Sequence, residues 1–214
     1  MTPALRVTEI FRSIQGESTR AGFPCAFIRL TGCSLRCVWC DSAYAFSGGS
    51  EMSVADAARD VIALGTELVE ITGGEPLEQD AVHELIARLL DAGRTVLLET
   101  GGHVPIAGVD PRVIKIVDVK APGSGMLHAN LADNLLRLSP HDELKFVLAD
   151  RRDFDWALRF VAEHDLDRRY PVTFSPVWSS LPAKDLAGWI RDSGRNLRLG
   201  LQLHKLLWGD VPGR

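Results

Sequence analysis

No apolar run in this chain approaches the roughly 20 residues that a membrane-crossing helix needs, and the opening MTPALRVTEIFRSIQGES lacks the charged-then-apolar pattern of a secretory leader. A cytoplasmic location is expected. Lysine and arginine number 24 against 28 acidic residues, a net charge of −4, and they gather into no dense stripe. A protein whose work is to hold a polyanion needs the opposite, so a small molecule is the expected substrate. Cysteine is scarce too: four residues, three of them bunched, make no disulfide framework. No Pro/Ser-rich linker, charge block or internal repeat divides the chain, and residues 1–214 are expected to form one domain. At 46% hydrophobic content disorder is not expected.

What is present is an alternation of short β-branched or apolar runs with longer stretches of helical period. Strands are expected at 26–30, 68–72, 95–99, 113–119, 143–148, 172–175 and 197–203, and helices at 54–64, 80–92, 130–138, 152–164 and 183–193. Ser53 reads as an N-cap and Gly93 as a helix stop. Such alternation implies a parallel α/β sheet with right-handed crossovers, either open and doubly wound or a complete or partial barrel. In a barrel-like sheet the functional groups gather at the carboxyl ends of the strands. The cysteine loop, ThrGlyGlyGluPro (72–76), GluThrGlyGly (99–102) and AspValLys (118–120) all sit at such ends.

Cys33, Cys37 and Cys40, in GCSLRCVWCD, place three thiols within eight residues on a loop leaving a strand. Soft thiolates suit zinc or an iron–sulfur cluster. A structural zinc would need a fourth ligand from Cys25, His103 or another residue. No second CxxC pair exists, and Cys25 lies at the far end of the presumed strand, where it reads as a small buried hydrophobe. A cluster with one iron left without a protein ligand is the better hypothesis, and an open coordination position points to chemistry rather than to a staple.

CxxxCxxC with Trp39 before its last cysteine, followed one βα unit later by GlyGlyGluPro (73–76), resembles the radical S-adenosylmethionine superfamily. The resemblance implies a single-domain partial TIM-type barrel and a [4Fe-4S] cluster on the three cysteines. S-adenosyl-L-methionine would bind the remaining iron through its amino and carboxylate groups. Gly73 and Gly74 allow the backbone to approach a ligand, and Glu75 offers acceptors for an ammonium group. PheArgSerIleGlnGlyGluSer (11–18), PheIleArgLeuThrGlyCys (27–33), CysAspSer (40–42) and GlnLeuHisLys (202–205) together resemble, nearly end to end, the 7-carboxy-7-deazaguanine synthase family. That family implies a Mg2+-dependent radical ring contraction of 6-carboxy-5,6,7,8-tetrahydropterin with loss of ammonia, on the way to queuosine and related deazapurines. It also implies a flavodoxin- or ferredoxin-type reductant and a homodimer.

Carried over residue by residue, the resemblance sets Trp39, Cys40, Asp41, Gly74 and Glu75 against S-adenosylmethionine. Asp118, Val119 and Lys120 join them, keeping the lysine of the SerProLys found in many relatives and departing at the first two positions. Ser175, Pro176, Val177 and Trp178 form a further cofactor loop, in which Trp178 either stacks near adenine or fills the core. Ser42 falls on the magnesium position, a hard hydroxyl ligand, although a turn cap is the commoner use of such a serine. Ile14, Gln15, Gly16 and Glu17 match the pterin loop, with Thr72 and His204 as further substrate contacts, the latter at the end of the last strand. Arg29, mid-strand and expensive to bury unpaired, is expected to meet the substrate carboxylate or an acid such as Glu17. Glu99 either reads the aminopyrimidinone edge or pairs with a structural cation. A glycyl-radical activating enzyme shares the cysteines and GGEP but gives no reason for SIQGES, CDS and QLHK together, and a zinc module explains still less.

Overall fold

The structure, a computed structural model, describes residues 3–209 together with Val211 and Gly213. Its strands are β1 (Ala4–Ile14), β2 (Pro24–Leu30), β3 (Ser50–Ser53), β4 (Leu68–Gly73), β5 (Thr95–Thr100), β6 (Ile114–Asp118), β7 (Glu143–Leu148), β8 (Val172–Pro176) and β9 (Arg198–Leu199). The helices are α1 (Val54–Ala63), α2 (Val82–Asp91), α3 (Arg151–Glu163), α4 (Ala183–Asp192) and α5 (Leu203–Trp208). All nine strands join one sheet in the order β3-β1-β2-β4-β5-β6-β7-β8-β9. From β2 onward each pairing is parallel and follows chain order, which is the winding of a TIM-type barrel; β3 and β9 stay as open edges, so the barrel is partial. No helix among the described residues is long and apolar enough to cross a membrane.

The two-residue period of the strands separates core from site. One phase, with Ile28, Ile71, Leu98, Phe146 and Phe174, packs against the apolar stripes of the helices, such as Val61, Leu85, Leu89, Phe154 and Val161. The other phase faces into the barrel. Cys25, Phe27, Leu68, Leu97, Ile114 and Ile116 close its floor with Phe11. Further along this inward phase Arg29, Glu70, Thr72, Glu99, Lys145 and Ser175 line a cavity. Each large apolar side chain buried under the helices contributes about 1.5–3 kcal/mol, and a slip of one residue would push Arg29 and Lys145 into that layer. Core burial thus sets the register, and the register aims the polar groups.

Local signals agree where they were legible. Ser53 caps α1 by accepting from the Asp56 N–H at 3.0 Å, and Gly93, at φ +75°, ends α2. Three expectations are corrected. Strand β1 was hidden because a bulge between Val7 and Glu9 switches its phase: Leu5 and Val7 face the helix layer, whereas Phe11 faces the barrel. The expected helix at 130–138 is a set of 3₁₀ turns reaching Ala132–Leu136, because Asn134 spends its amide on the Ile106 N–H and the Gly102 and Val104 carbonyls. The expected strand at 197–203 pairs only at Arg198–Leu199. Gly200 then lies against β8, where a Cβ would come within 2.3 Å of Ser175 Oγ, and the chain turns into α5. His204 therefore stands in a helix and not at a strand end.

Candidate active site

The cysteine loop leaves β2 and is fastened from two sides. Gly32 donates to the Ala45 carbonyl at 2.8 Å and accepts from the Glu75 N–H at 2.7 Å. A Cβ on Gly74 would lie 1.7 Å from the Gly32 carbonyl oxygen. Gly74 is thus required for backbone-to-backbone docking, a different reason from ligand approach, although Gly73 and Gly74 both line the cavity. Cys33, Cys37 and Cys40 line it too, partly exposed and unbridged. Cys25 is fully buried and its thiol faces the Ala26 carbonyl at 3.4 Å, which removes it as a ligand. His103 lies closer, its ring, Cys33 and Glu78 bringing ligand atoms within 4.8 Å of one another. Burial pushes the Cys33 thiol up to about 11 and raises Cys37 as well, with the charge of Lys120 opposing at both. A metal centre taking these thiolates displaces their protons, and a three-thiol donor set on one cavity wall fits an iron–sulfur cluster.

Deeper in, Lys145 of β7 reaches Glu99 at 2.5 Å and Glu17 at 2.8 Å, and the Thr72 hydroxyl donates to Glu99 at 3.2 Å. Burial works against the ammonium, but the two carboxylates outweigh it and hold Lys145 well above its usual range. Glu99 is in turn lowered, its burial overcome by Lys145. The cation that pairs Glu99 is Lys145. Glu17 is taken by the same lysine and by Gln202 at 3.0 Å, so it is not the partner of Arg29. Glu9 is, at 2.7 Å, because the β1–β2 register sets it directly opposite. Arg29 Nη1 donates to the Gly73 carbonyl at 3.2 Å, and Nη2 has no hydrogen-bond partner among the described residues.

The rim is built from both ends of the chain. The Leu203 N–H donates to the Gly16 carbonyl at 3.2 Å, and Gly16 packs on the His204 ring so tightly that a Cβ would meet Nδ1 at 2.5 Å. Burial lowers the pKa of His204 against the pull of Glu17, leaving a neutral ring. Asp41 accepts from Gln202 at 2.9 Å and Lys205 at 3.0 Å. Burial opposes its ionisation, yet the Lys205 charge and these bonds bring it to about 2. Ser42 precedes the 3₁₀ turn Ala43–Ala45 but its hydroxyl caps no N–H, which sets aside the turn-cap reading; the hydroxyl lies 3.8 Å from Cys40 Sγ.

Of the expected cofactor contacts, Trp39, Lys120 and Ser175 through Trp178 all line the cavity, and Trp178, 47% exposed, is no core residue. Asp118 holds Lys120 at 2.6 Å. Two side chains do not belong. Val119 packs in the helix-side core. Glu75 is fully buried and accepts from the Leu77 N–H, the Thr100 hydroxyl and the Gly101 N–H, so it has no acceptor to offer an ammonium. Sequence reasoning missed Glu9, Glu70, Lys145 and Lys205. For Glu70 and Lys145 a signal existed, since a charge in the middle of an apolar strand run demands a partner.

The cavity measures about 580 Å³, of the size that holds small ligands. Residues 27–117 match the model of the radical SAM superfamily. Over 95% of its length the chain is 45% identical to the 7-carboxy-7-deazaguanine synthase of Koribacter versatilis, covering 97% of that protein. With the synthase of Thermoplasma acidophilum the identity is 38%, covering 97% of this chain and 99% of the other. The crystal structure of QueE from Escherichia coli superposes with a TM-score of 0.75 at 25% identity, over 93% of this chain and 94% of that one. Streptococcus suis SuiB bound to its precursor peptide shares the fold alone, at TM-score 0.58 and 13% identity over 79% of this chain and 46% of that one. Near-complete coverage at these identities, with the three cysteines on the wall of one cavity, means that the chain belongs to the 7-carboxy-7-deazaguanine synthase family of the radical S-adenosylmethionine superfamily.

Proposed function

We infer that this chain converts 6-carboxy-5,6,7,8-tetrahydropterin to 7-carboxy-7-deazaguanine with release of ammonia, acting as a carbon–nitrogen lyase. The observation that carries the reading is that the unbridged cysteines and the family's substrate-loop residues Ile14, Gln15 and Gly16 line one cavity. When bound, the [4Fe-4S] cluster and S-adenosylmethionine supply a carbon-centred radical that abstracts hydrogen. The chain's residues do the rest. Cys33, Cys37 and Cys40 hold the cluster, while Trp39, Gly74, Lys120 and the Ser175–Trp178 segment shape the cofactor wall. Arg29 keeps Nη2 free for the substrate carboxylate, and the uncapped Ser42 hydroxyl is a hard ligand for Mg2+ beside it. Lys145 holds Glu17 and Glu99 in place as acceptors for pterin N–H groups. The neutral His204 ring and α5 close the rim against water.

The same reading treats residues 1–214 as one domain working in the cytoplasm, with a flavodoxin- or ferredoxin-type protein supplying the electron. A homodimer is supported by Leu206, Leu207 and Trp208, all exposed on α5. The test is to incubate the anaerobically reconstituted, reduced protein with S-adenosylmethionine, Mg2+ and the pterin and look by mass spectrometry for the deazaguanine acid. Formation of 5′-deoxyadenosine without that product would point to another radical enzyme, and zinc in place of about four irons per chain to no radical chemistry.

Ser42→Ala provides a narrower check on the metal. The variant is expected to keep the cluster's absorbance and to need at least tenfold more Mg2+ for half-maximal turnover, since one ligand oxygen is gone. Loss of the cluster would instead make Ser42 a support for the cysteine loop.

A further inference from the structure

Glu70 belongs to no motif and lines the cavity nonetheless. It sits on the inward phase of β4, between Leu68 in the floor and Thr72 near the rim, and lies about 7 Å deeper than Thr72 at roughly 3.3 Å per residue. Phe27 stands directly across the β2–β4 pairing. One Glu70 oxygen accepts from Gln15 Nε2, and the other has no hydrogen-bond partner among the described residues. The orientation of the Gln15 amide is fixed, since its oxygen accepts from the Glu17 N–H at 2.5 Å and the Ser18 N–H at 3.0 Å, leaving only its NH2 to face Glu70.

The groups facing Glu70 are Glu99 from β5, Glu17 from the loop after β1, Lys145 from β7 and the Cys25 thiol from β2. Lys145, the cation among them, is already held by Glu17 and Glu99. A carboxyl in that position is costly to the fold. Burial first, and the charge of Glu99 second, push its pKa well up. A ligand that brings two adjacent N–H donors would offset the cost, and a 2-amino-pyrimidin-4-one edge presents such a pair, the ring N3–H and the exocyclic amine.

We propose that Glu70 recognises the 2-amino-4-oxo pyrimidine edge of the pterin through a two-pronged hydrogen bond at the bottom of the cavity, opposite the end where Arg29 and Ser42 take the carboxylate. The proposal rests on the pterin reading above. It adds a consequence for the reaction, because ring contraction rebuilds the other ring and leaves this edge intact. Glu70 then holds substrate and product by the same two bonds, a fixed point about which the rearranging atoms move.

The experiment is equilibrium binding of the pterin to the anaerobic, cluster-loaded protein and to Glu70→Gln, with a pterin lacking the 2-amino group as a second probe. An amide keeps the size and the acceptor for Gln15 but turns a donor toward donors. The dissociation constant for the pterin is expected to rise at least tenfold, the size of two lost hydrogen bonds, with the S-adenosylmethionine affinity and iron content unchanged. Wild type should prefer the 2-amino pterin over its 2-deamino analogue by at least tenfold, and Glu70→Ala should lose that preference.

Thermal melting separates recognition from support. An acid whose native pKa is raised stabilises the fold fully only below its unfolded value, and loses that stabilisation as pH rises through the native one. Glu70→Gln should therefore melt no lower than wild type at pH 8, whereas a structural acid would melt lower. Pterin affinity of Glu70→Gln within threefold of wild type, or a retained 2-amino preference in Glu70→Ala, would overturn the assignment while leaving the enzyme reading intact. A wild-type protein that binds neither pterin overturns both.

Discussion

Lys145→Met should lower stability by about 3 kcal/mol at pH 8, because it strands Glu17 and Glu99 without the cation they share. For a chain of this length that corresponds to a fall in Tm of roughly 6–12 °C. The methionine fills the volume, so the loss is electrostatic. The sign of the pH dependence follows from the shifts. Glu99, lowered by Lys145, adds stability that is present above its unfolded pKa and fades as pH falls through its native one. Lys145, raised by the two acids, adds stability below its unfolded pKa that fades as pH climbs through its native one. Between those limits this pair adds no slope of its own. The variant carries two partly buried carboxylates near Glu70 without the lysine that paired them, so protonation relieves it. The gap in Tm should shrink from pH 8 to pH 5. A gap that widens on acidification, or no gap at all, would show that the lysine is not what holds the acids. Glu99→Gln in the Lys145→Met background should recover part of the lost stability, since one stranded charge is gone.

That network shows which parts of the site a sequence can display. The cysteines, GGEP and CDS are local: neighbours in the chain are neighbours in space, and their spacing states their use. Arg29 is different. Its mid-strand position announced the need for a partner, but the acid it meets is Glu9 and not the expected Glu17, and that pairing depends on a β1–β2 register that shifts between Val7 and Glu9. A bulge leaves no strong trace in composition. It also hid β1 itself, since hydrophobic alternation that changes phase midway matches no single template. Lys145 was equally far from its partners, 128 residues from Glu17 and 46 from Glu99. Only the curl of the partial barrel brings β1, β5 and β7 to one cavity.

The elements that were misread fail for a common reason. Asn134 and Gly200 are single residues whose tertiary contacts override a run of helix or strand formers: the first by spending its amide on three backbone groups, the second by admitting a close approach to Ser175. Propensity summed over a window cannot register such a contact. Val119 and Glu75 illustrate the converse. Both lie within motifs that carry function, and both side chains turn away from the cavity to hold up their neighbours. A motif marks a segment of backbone, and alternation along that segment sends some of its side chains to the ligand and the rest to the scaffold.

Gly74→Ala tests that distinction at its sharpest point. The new methyl would sit 1.7 Å from the Gly32 carbonyl oxygen, and both partners are backbone, so no rotamer change relieves the clash. Gly32 cannot swing aside cheaply either: it holds φ +102° and is tied to Ala45 at 2.8 Å. The contact opens only if the GGEP turn separates from the cysteine loop, which breaks the 2.7 Å bond from the Glu75 N–H to Gly32. Cys33 follows Gly32 directly, so the thiols shift with it. Misplacement of a reacting group by about 1 Å is enough for a loss near 100-fold, and product formation should fall by at least that much. Iron content after reconstitution should drop from about four per chain to below one. Gly65→Ala supplies the control: Gly65 also has a positive φ, +72°, but a Cβ there meets nothing within 4 Å. That variant should lose about 1 kcal/mol to backbone strain and keep its iron and its activity. If Gly74→Ala instead reconstitutes as fully as Gly65→Ala, the docking of the two loops does not position the thiols, and Gly74 would be needed only for the ligand that passes over it.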